Sequence, residues 1–317
     1  MKRIPVTLGA LSLLLLLTVA SCASTLSDEP TTDACAISFM PAAETRAAVT
    51  GTSLPGGSSI SVWGWYGTEG TITNNVFDCE TVTESGGAWT YGGGSRYWIA
   101  GETYNFYAVY PSSGDNAGYE SASYDESGNL TITKFDCTRG VDLMTASQNC
   151  VADDMIAHKQ SVKFSFEHLL AYINVIVISE GDAVSVSDVK LYGINHIGNL
   201  NESGWQLSEP STKDNPSFTS TGLSIPENDT HEYSIWVDNL LLLPETTLES
   251  VFLEFDYQYS GDTEIKHSVI PLKTGNVAKW DANTRYNYRI NIPQNSVDVE
   301  LTVTVTDWVK KDYTVIW

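Results

Sequence analysis

The chain has 317 residues and carries 39 Asp plus Glu against 17 Lys plus Arg, a formal charge of −22. So acidic a surface repels both nucleic-acid phosphates and anionic bilayers, which excludes nucleic-acid binding and electrostatic adsorption to membranes. Hydrophobic residues make up 42% and aromatics 11%, mostly Tyr and Trp, enough for packed cores of β-structure.

Lys2 and Arg3 precede an apolar run from Leu8 to Val19, and Val19-Ala20-Ser21-Cys22 is a small-residue cleavage site ending in cysteine. That order predicts a lipoprotein signal peptide over residues 1–21, cut before Cys22 once its thiol carries lipid. The apolar run is too short for a retained membrane helix. Losing Lys2 and Arg3 with the leader takes the formal charge from −22 to −24. Residues 22–35 are small, polar and acidic, the composition of a lipidated flexible tether with nothing to build a core.

Ala36-Ile37-Ser38-Phe39 is a short strand candidate, followed by Glu44-Thr45-Arg46-Ala47-Ala48. From residue 60 the pattern predicts strands over 60–66, 74–83, 88–92, 96–111 and 130–136. Alternation is clearest where Tyr104, Phe106, Ala108 and Tyr110 share one face. Asp125–Asn129 reads as a hairpin turn with Gly128 and Asn129 at positive φ, since the full spacing of a calcium loop is missing. A second block predicts a long strand over 162–178, bent at His168-Leu169-Leu170, then strands over 186–194, 232–244, 251–259, 265–272, 285–292 and 297–309. Helical periodicity holds nowhere for a dozen residues. The expected fold is all-β, with two tandem β-sandwich domains of transthyretin or immunoglobulin type over 36–160 and 161–317.

Residues able to carry chemistry are sparse. The histidines, His158, His168, His196, His231 and His267, have no metal-ligand spacing, and His168 in an apolar strand reads as a hydrogen-bonded core imidazole. Gly92-Gly93-Gly94 has no helix after it to supply a phosphate-binding dipole, and reads as a turn. The acid pairs Asp28-Glu29 and Asp153-Asp154 could serve a glycosidase, but in a chain with 39 acids they arise by chance. No catalytic set, metal site or cofactor is expected. Trp63, Trp65 and Trp98 are candidates for a glycan platform, in which case the chain would be a surface glycan-binding lipoprotein. Cys35, Cys79, Cys137 and Cys150 are even in number in a compartment that permits disulfides, and three pairings are open.

Taken in order, the lipobox at Cys22, the Phe39 strand with Glu44-Thr45-Arg46, Val62-Trp63-Gly64-Trp65-Tyr66 and Tyr104 to Pro111 resemble the fimbrillin family. So do Asp142-Leu143-Met144, Val162 to Val177 with Phe-x-His-Leu-Leu-Ala, Trp280 to Tyr288, and Asp307-Trp308. Fimbrillins are subunits of lipoprotein-derived pili. The resemblance implies a structural or adhesive subunit of a cell-surface fimbrium, lipid-anchored at the outer membrane, whose partners are other pilus subunits and a host protein or glycan. It also implies cleavage between Arg46 and Ala47 by an Arg-specific protease, which would remove the first strand (36–46) and open a groove for a strand from another subunit. The donor expected is 309–317, where Tyr313, Val315 and Trp317 alternate with Thr314 and Ile316. A Cys137–Cys150 bridge would close a short loop and leave Cys35 with Cys79, and the second bridge would hold the cut strand in place.

Overall fold

The computed structural model describes residues 36–41, 54–244, 247–294 and 299–308. They form an almost entirely β structure, as the patterning predicts, with one seven-residue helix, Ala152–His158. A six-stranded sheet runs in the order Glu167–His168, Met144–Val151, Thr103–Tyr110, Ser59–Thr68, Thr71–Ser85 and Ala88–Tyr91. A short parallel pair, Phe39–Pro41 with Val162–Phe164, covers one of its faces. Two five-stranded sheets follow, one centred on Ala171–Ser179 and Thr284–Ile292, the other on Val184–Tyr192 and Phe252–Tyr259. Their inner faces supply Ile173, Val175, Tyr286 and Tyr288 on one side and Val186, Leu191, Leu253 and Phe255 on the other, the two layers of a sandwich.

Ser59–Thr68 is buried on both faces, so alternation of hydrophobic and polar residues does not mark it. Ile60 and Val62 enter the first core with Phe77, Tyr104 and Phe106, while Trp63 and Trp65 point the other way, into the second core. There they meet a four-stranded sheet of Gly204–Leu207, Ile197–Asn201, Leu130–Asp136 and Ser121–Tyr124. Strands from both sides of residue 160 therefore share one sheet, pairing Ile197 with Asp136, Gly198 with Phe135 and Leu200 with Ile132. The two halves of the chain are stitched together by backbone hydrogen bonds and a shared core.

Several strand expectations need correcting. The run predicted over 96–111 becomes a strand only at Thr103, because Trp98 turns into the first core and Gly101 takes a φ of 81°. The single strand expected over 162–178 is three strands in three sheets, Val162–Phe164, Glu167–His168 and Ala171–Ser179. The break falls where the chain leaves one core, at Phe164, and enters the other, at Leu170. The run over 232–244 is two short strands, Tyr233–Ser234 and Leu240–Leu242, both paired to Ala171–Ser179. In the Asp125–Asn129 hairpin turn only Gly128 has positive φ, and Asp125 Oδ1 accepts from the Ser127 and Asn129 amides.

Gly64, on Ser59–Thr68, is set by close approach: a Cβ there would lie 2.8 Å from the Phe106 ring and 3.1 Å from Val76. Gly64→Ala should destabilise the protein by about 1–3 kcal/mol through overpacking, measured by urea unfolding.

Candidate functional site

The segment 36–41 lies in a slot with two walls. On one side Phe39–Pro41 runs parallel to Val162–Phe164, with Phe39 opposite Val162 and Pro41 opposite Phe164, and the Val162 amide donates to the Ser38 carbonyl at 2.8 Å. On the other side Ala36 bridges Tyr97, and the Ile37 amide donates to the Arg96 carbonyl at 2.8 Å. The Tyr91 hydroxyl donates to the Ile37 carbonyl at 2.8 Å. Burial pushes the Tyr91 phenol above its ordinary pKa, so it stays a neutral donor. Residues alternate as in any strand with one buried face: Ile37 and Phe39 are 2% and 4% exposed, while Ser38 and Met40 face out.

Phe39 fills the floor of the slot. Its ring lies edge-on to Phe77 at 5.2 Å and to Tyr91 and Phe106 at 5.8 Å, and stacks on Phe164 at 5.8 Å. Burying Ile37 and Phe39 contributes roughly 3–6 kcal/mol, against a parallel ladder of only three residues. Most of the hold on this segment is thus apolar. Arg96 braces the far wall, with Nη2 2.6 Å from Glu80 Oε2 and its guanidinium over the Phe77 and Tyr91 rings at 4.5 and 5.3 Å. Where the chain re-enters the described structure, Leu54 is buried in the same core, and the Gly57 amide donates to Glu84 Oε2 at 2.5 Å. The backbone bond from Gly57, with a second from Gly87, holds the Glu84 carboxyl below its ordinary value of 4.5.

A family model for fimbrillin-like proteins matches residues 45–308. The chain belongs to the fimbrillin-like family. Its fold is similar to that of a fimbrial protein from Bacteroides vulgatus, with a TM-score of 0.59 at 16% identity over 87% of this chain and 100% of that one. Two candidate cell-adhesion proteins also share it at TM-scores of 0.51. One, from Bacteroides uniformis, has 17% identity over 86% of this chain and 99% of that one. The other, from Bacteroides ovatus, has 15% identity over 87% and 98%. No curated protein sequence matches the chain.

Other expected sites of this fimbrillin-like chain fall as follows. Cys22, Cys35, Arg46, Ala47, Tyr313, Val315 and Trp317 lie outside the described residues, as do Asp28 and Glu29. The tryptophan platform is overturned: Trp63, Trp65 and Trp98 are 2%, 8% and 6% exposed. Trp63 and Trp65 lie two apart on one face of a sheet packed on both sides, and Trp98 lies edge-on to Tyr104 at 4.7 Å. Of the three pairings left open, the one with a Cys137–Cys150 bridge is not formed, since Cys79 and Cys150 are free thiols. Cys137 belongs to the second core and Cys150 to the first, on opposite sides of the intervening sheet. The acid pair Asp153-Asp154 opens the helix, where Asp153 Oδ1 accepts the Gly101 amide at 2.9 Å. His168 is the hydrogen-bonded core imidazole expected, with Nδ1 3.0 Å from Asp142 Oδ1, and it stacks on Trp308 at 3.5 Å.

Tyr91 and Arg96, the far wall of the slot, were not singled out in the sequence. Arg96 is one of only 17 basic residues, and that scarcity was the available signal.

Phe39→Ala should cost about 3–5 kcal/mol in urea unfolding, and Met40→Ala less than about 0.5. Because the folded-state pKa of Glu84 is depressed, the stability it contributes is present above pH 4.5 and lost as pH falls through the folded value. The gap in melting temperature between the native chain and Glu84→Gln should accordingly be open at pH 7 and close in acid.

Proposed function

We propose that the chain is a structural or adhesive, non-catalytic subunit of a cell-surface fimbrium, anchored through lipid at Cys22 to the outer membrane and assembled by proteolysis and strand exchange. The observation that carries this reading is the slot. A segment held mainly by two apolar side chains, between walls that already bond its backbone on both sides, can be exchanged for another extended segment with the same alternation. Cleavage after Arg46 would cut the connection between Phe39–Pro41 and the strand that starts at Ser59, leaving the first strand to depart. Its departure would uncover Phe77, Phe106 and Phe164, which are fully buried with it in place. The segment 309–317 of a second subunit, with Tyr313, Val315 and Trp317 alternating, would refill the slot.

Of the three cysteines that could tether Cys35, Cys79 and Cys150 are free thiols, which favours release. Family membership and the fold it shares with the Bacteroides vulgatus fimbrial protein support a pilus or adhesion role at the cell surface. Burial of Trp63, Trp65 and Trp98 withdraws the residues on which the glycan-binding alternative rested.

The test is limited proteolysis of residues 23–317 with an Arg-specific protease, read by intact mass and native gels. The expected outcome is cleavage after Arg46, loss of the N-terminal piece without reductant, and a ladder of oligomers. The same treatment of Arg46→Ala should leave a single uncut species. An uncut native chain, or a cut chain that forms no ladder, would refute the assembly route.

A further inference from the structure

The edges of the five sheets are unequal in one respect that bears on association. An edge strand presents unpaired N–H and C=O groups, and soluble proteins blunt such edges by keeping them short or by placing lysine, proline or a bulge there. Among the described residues most edges follow that rule. Glu167–His168 and Tyr233–Ser234 have two residues, Phe218–Ser220 has three, and Ala88–Tyr91, Ser121–Tyr124 and Gly204–Leu207 have four. Lys266–Pro271 has six but begins with lysine and ends with proline. The exception is Glu300–Asp307, an eight-residue edge with neither lysine nor proline, whose register with Thr284–Ile292 is unbroken from Asp307 opposite Thr284 to Glu300 opposite Asn291. Thr302, Thr304 and Thr306 are exposed, and Val305 is 47% exposed.

The sequence of this edge is self-complementary. Thr302-Val303-Thr304-Val305-Thr306 reads the same in both directions about Thr304. An antiparallel copy placed on a twofold axis through Thr304 puts Thr302 opposite Thr306 on the outer face and Val303 opposite Val305 on the inner face. Like thus meets like on both faces, as cross-strand pairing and an isologous contact require. The charges agree with this register: Glu300 falls opposite Trp308 and Asp307 opposite Leu301, so no two acids face each other in a chain of formal charge −22. A slip of one residue would set Glu300 against Asp307 and threonine against valine, and would put the inner faces of the two copies on opposite sides of the joined sheet.

We propose that Glu300–Asp307 is a second interaction surface, distinct from the slot, through which two copies of this chain pair edge to edge about Thr304 into one continuous sheet. The contact is small and weak in solution, suited to lateral association of subunits held close together at a surface.

The test is site-specific cross-linking of uncut residues 23–317 in a Cys35→Ser, Cys79→Ser background, so that its outcome does not depend on cleavage at Arg46. Opposed Cα atoms in an antiparallel pair lie about 4.5–5.5 Å apart, within disulfide reach. Thr304→Cys should yield a disulfide dimer under mild oxidation. Thr302→Cys and Thr306→Cys should do so only when mixed, at least about tenfold faster than either alone. Adding Thr304→Lys to the Thr302→Cys and Thr306→Cys pair should abolish the mixed product while leaving the melting temperature unchanged. Thr304→Cys that stays monomeric, cross-linking of Val303→Cys instead, or equal cross-linking of every variant would overturn the proposal. So would a dimer that appears only after residues 309–317 are deleted, since that segment would then be the occupant of the edge.

Discussion

The rest of the structure depends on the six-stranded sheet being buried on both faces. Ser59–Thr68 at its middle sends Ile60 and Val62 into one core and Trp63 and Trp65 into the other. A half-exposed sheet would need only one covering layer, but this one needs two. The strand pair that contains Phe39 covers one side, and the four-stranded sheet assembled from 121–136 and 197–207 covers the other. Gly64, which has no room for a Cβ beside Phe106, lies where that packing is tightest.

This arrangement gives the first strand its character. A sheet whose inner face carries Phe77, Phe106 and Tyr104 cannot face water, so something extended and apolar must lie over it. The covering segment comes from the N-terminal end of the described chain and is joined to its wall by a parallel ladder of three residues. Essential apolar cover and slight backbone attachment occur together in one element, the combination that the proposed exchange requires. The far end of the chain has the opposite property. Trp308 is seated by the His168 stack and by its amide on the Asn283 carbonyl, while the strand before it keeps an open edge.

The strands legible in the sequence were those with a partly exposed face or a long apolar run. Thr103–Tyr110 showed its alternation, and Phe252–Tyr259 and Thr284–Ile292 fell within a residue or two of their predicted limits. Met144–Val151 was missed because its buried positions, Met144, Ala146 and Cys150, are interrupted by the half-buried Gln148, and apolar Val151 sits on the exposed face with Ser147 and Asn149. The four short strands between Ile197 and Ile225 carry too few apolar residues to register as a pattern. At the slot, Ile37 and Phe39 were readable as a strand with one apolar face. Tyr91 and Arg96 were not, because they are brought to it by chain more than fifty residues away.

The sequence by itself determined the all-β class, the acidic surface and the order of motifs shared with fimbrillins, because each of these is local in the chain. Tertiary structure decided which face every aromatic takes. Alternation says that Trp63 and Trp65 lie together, but whether that face meets water or a second sheet depends on where 121–136 and 197–207 pack. It also decided the cysteines, since Cys137 and Cys150 are near in sequence, yet Cys150 points from its own strand of the six-stranded sheet into the first core while Cys137 is buried in the second. Burial and pairing are properties of long-range contacts, and a periodic pattern read along one strand has no access to them.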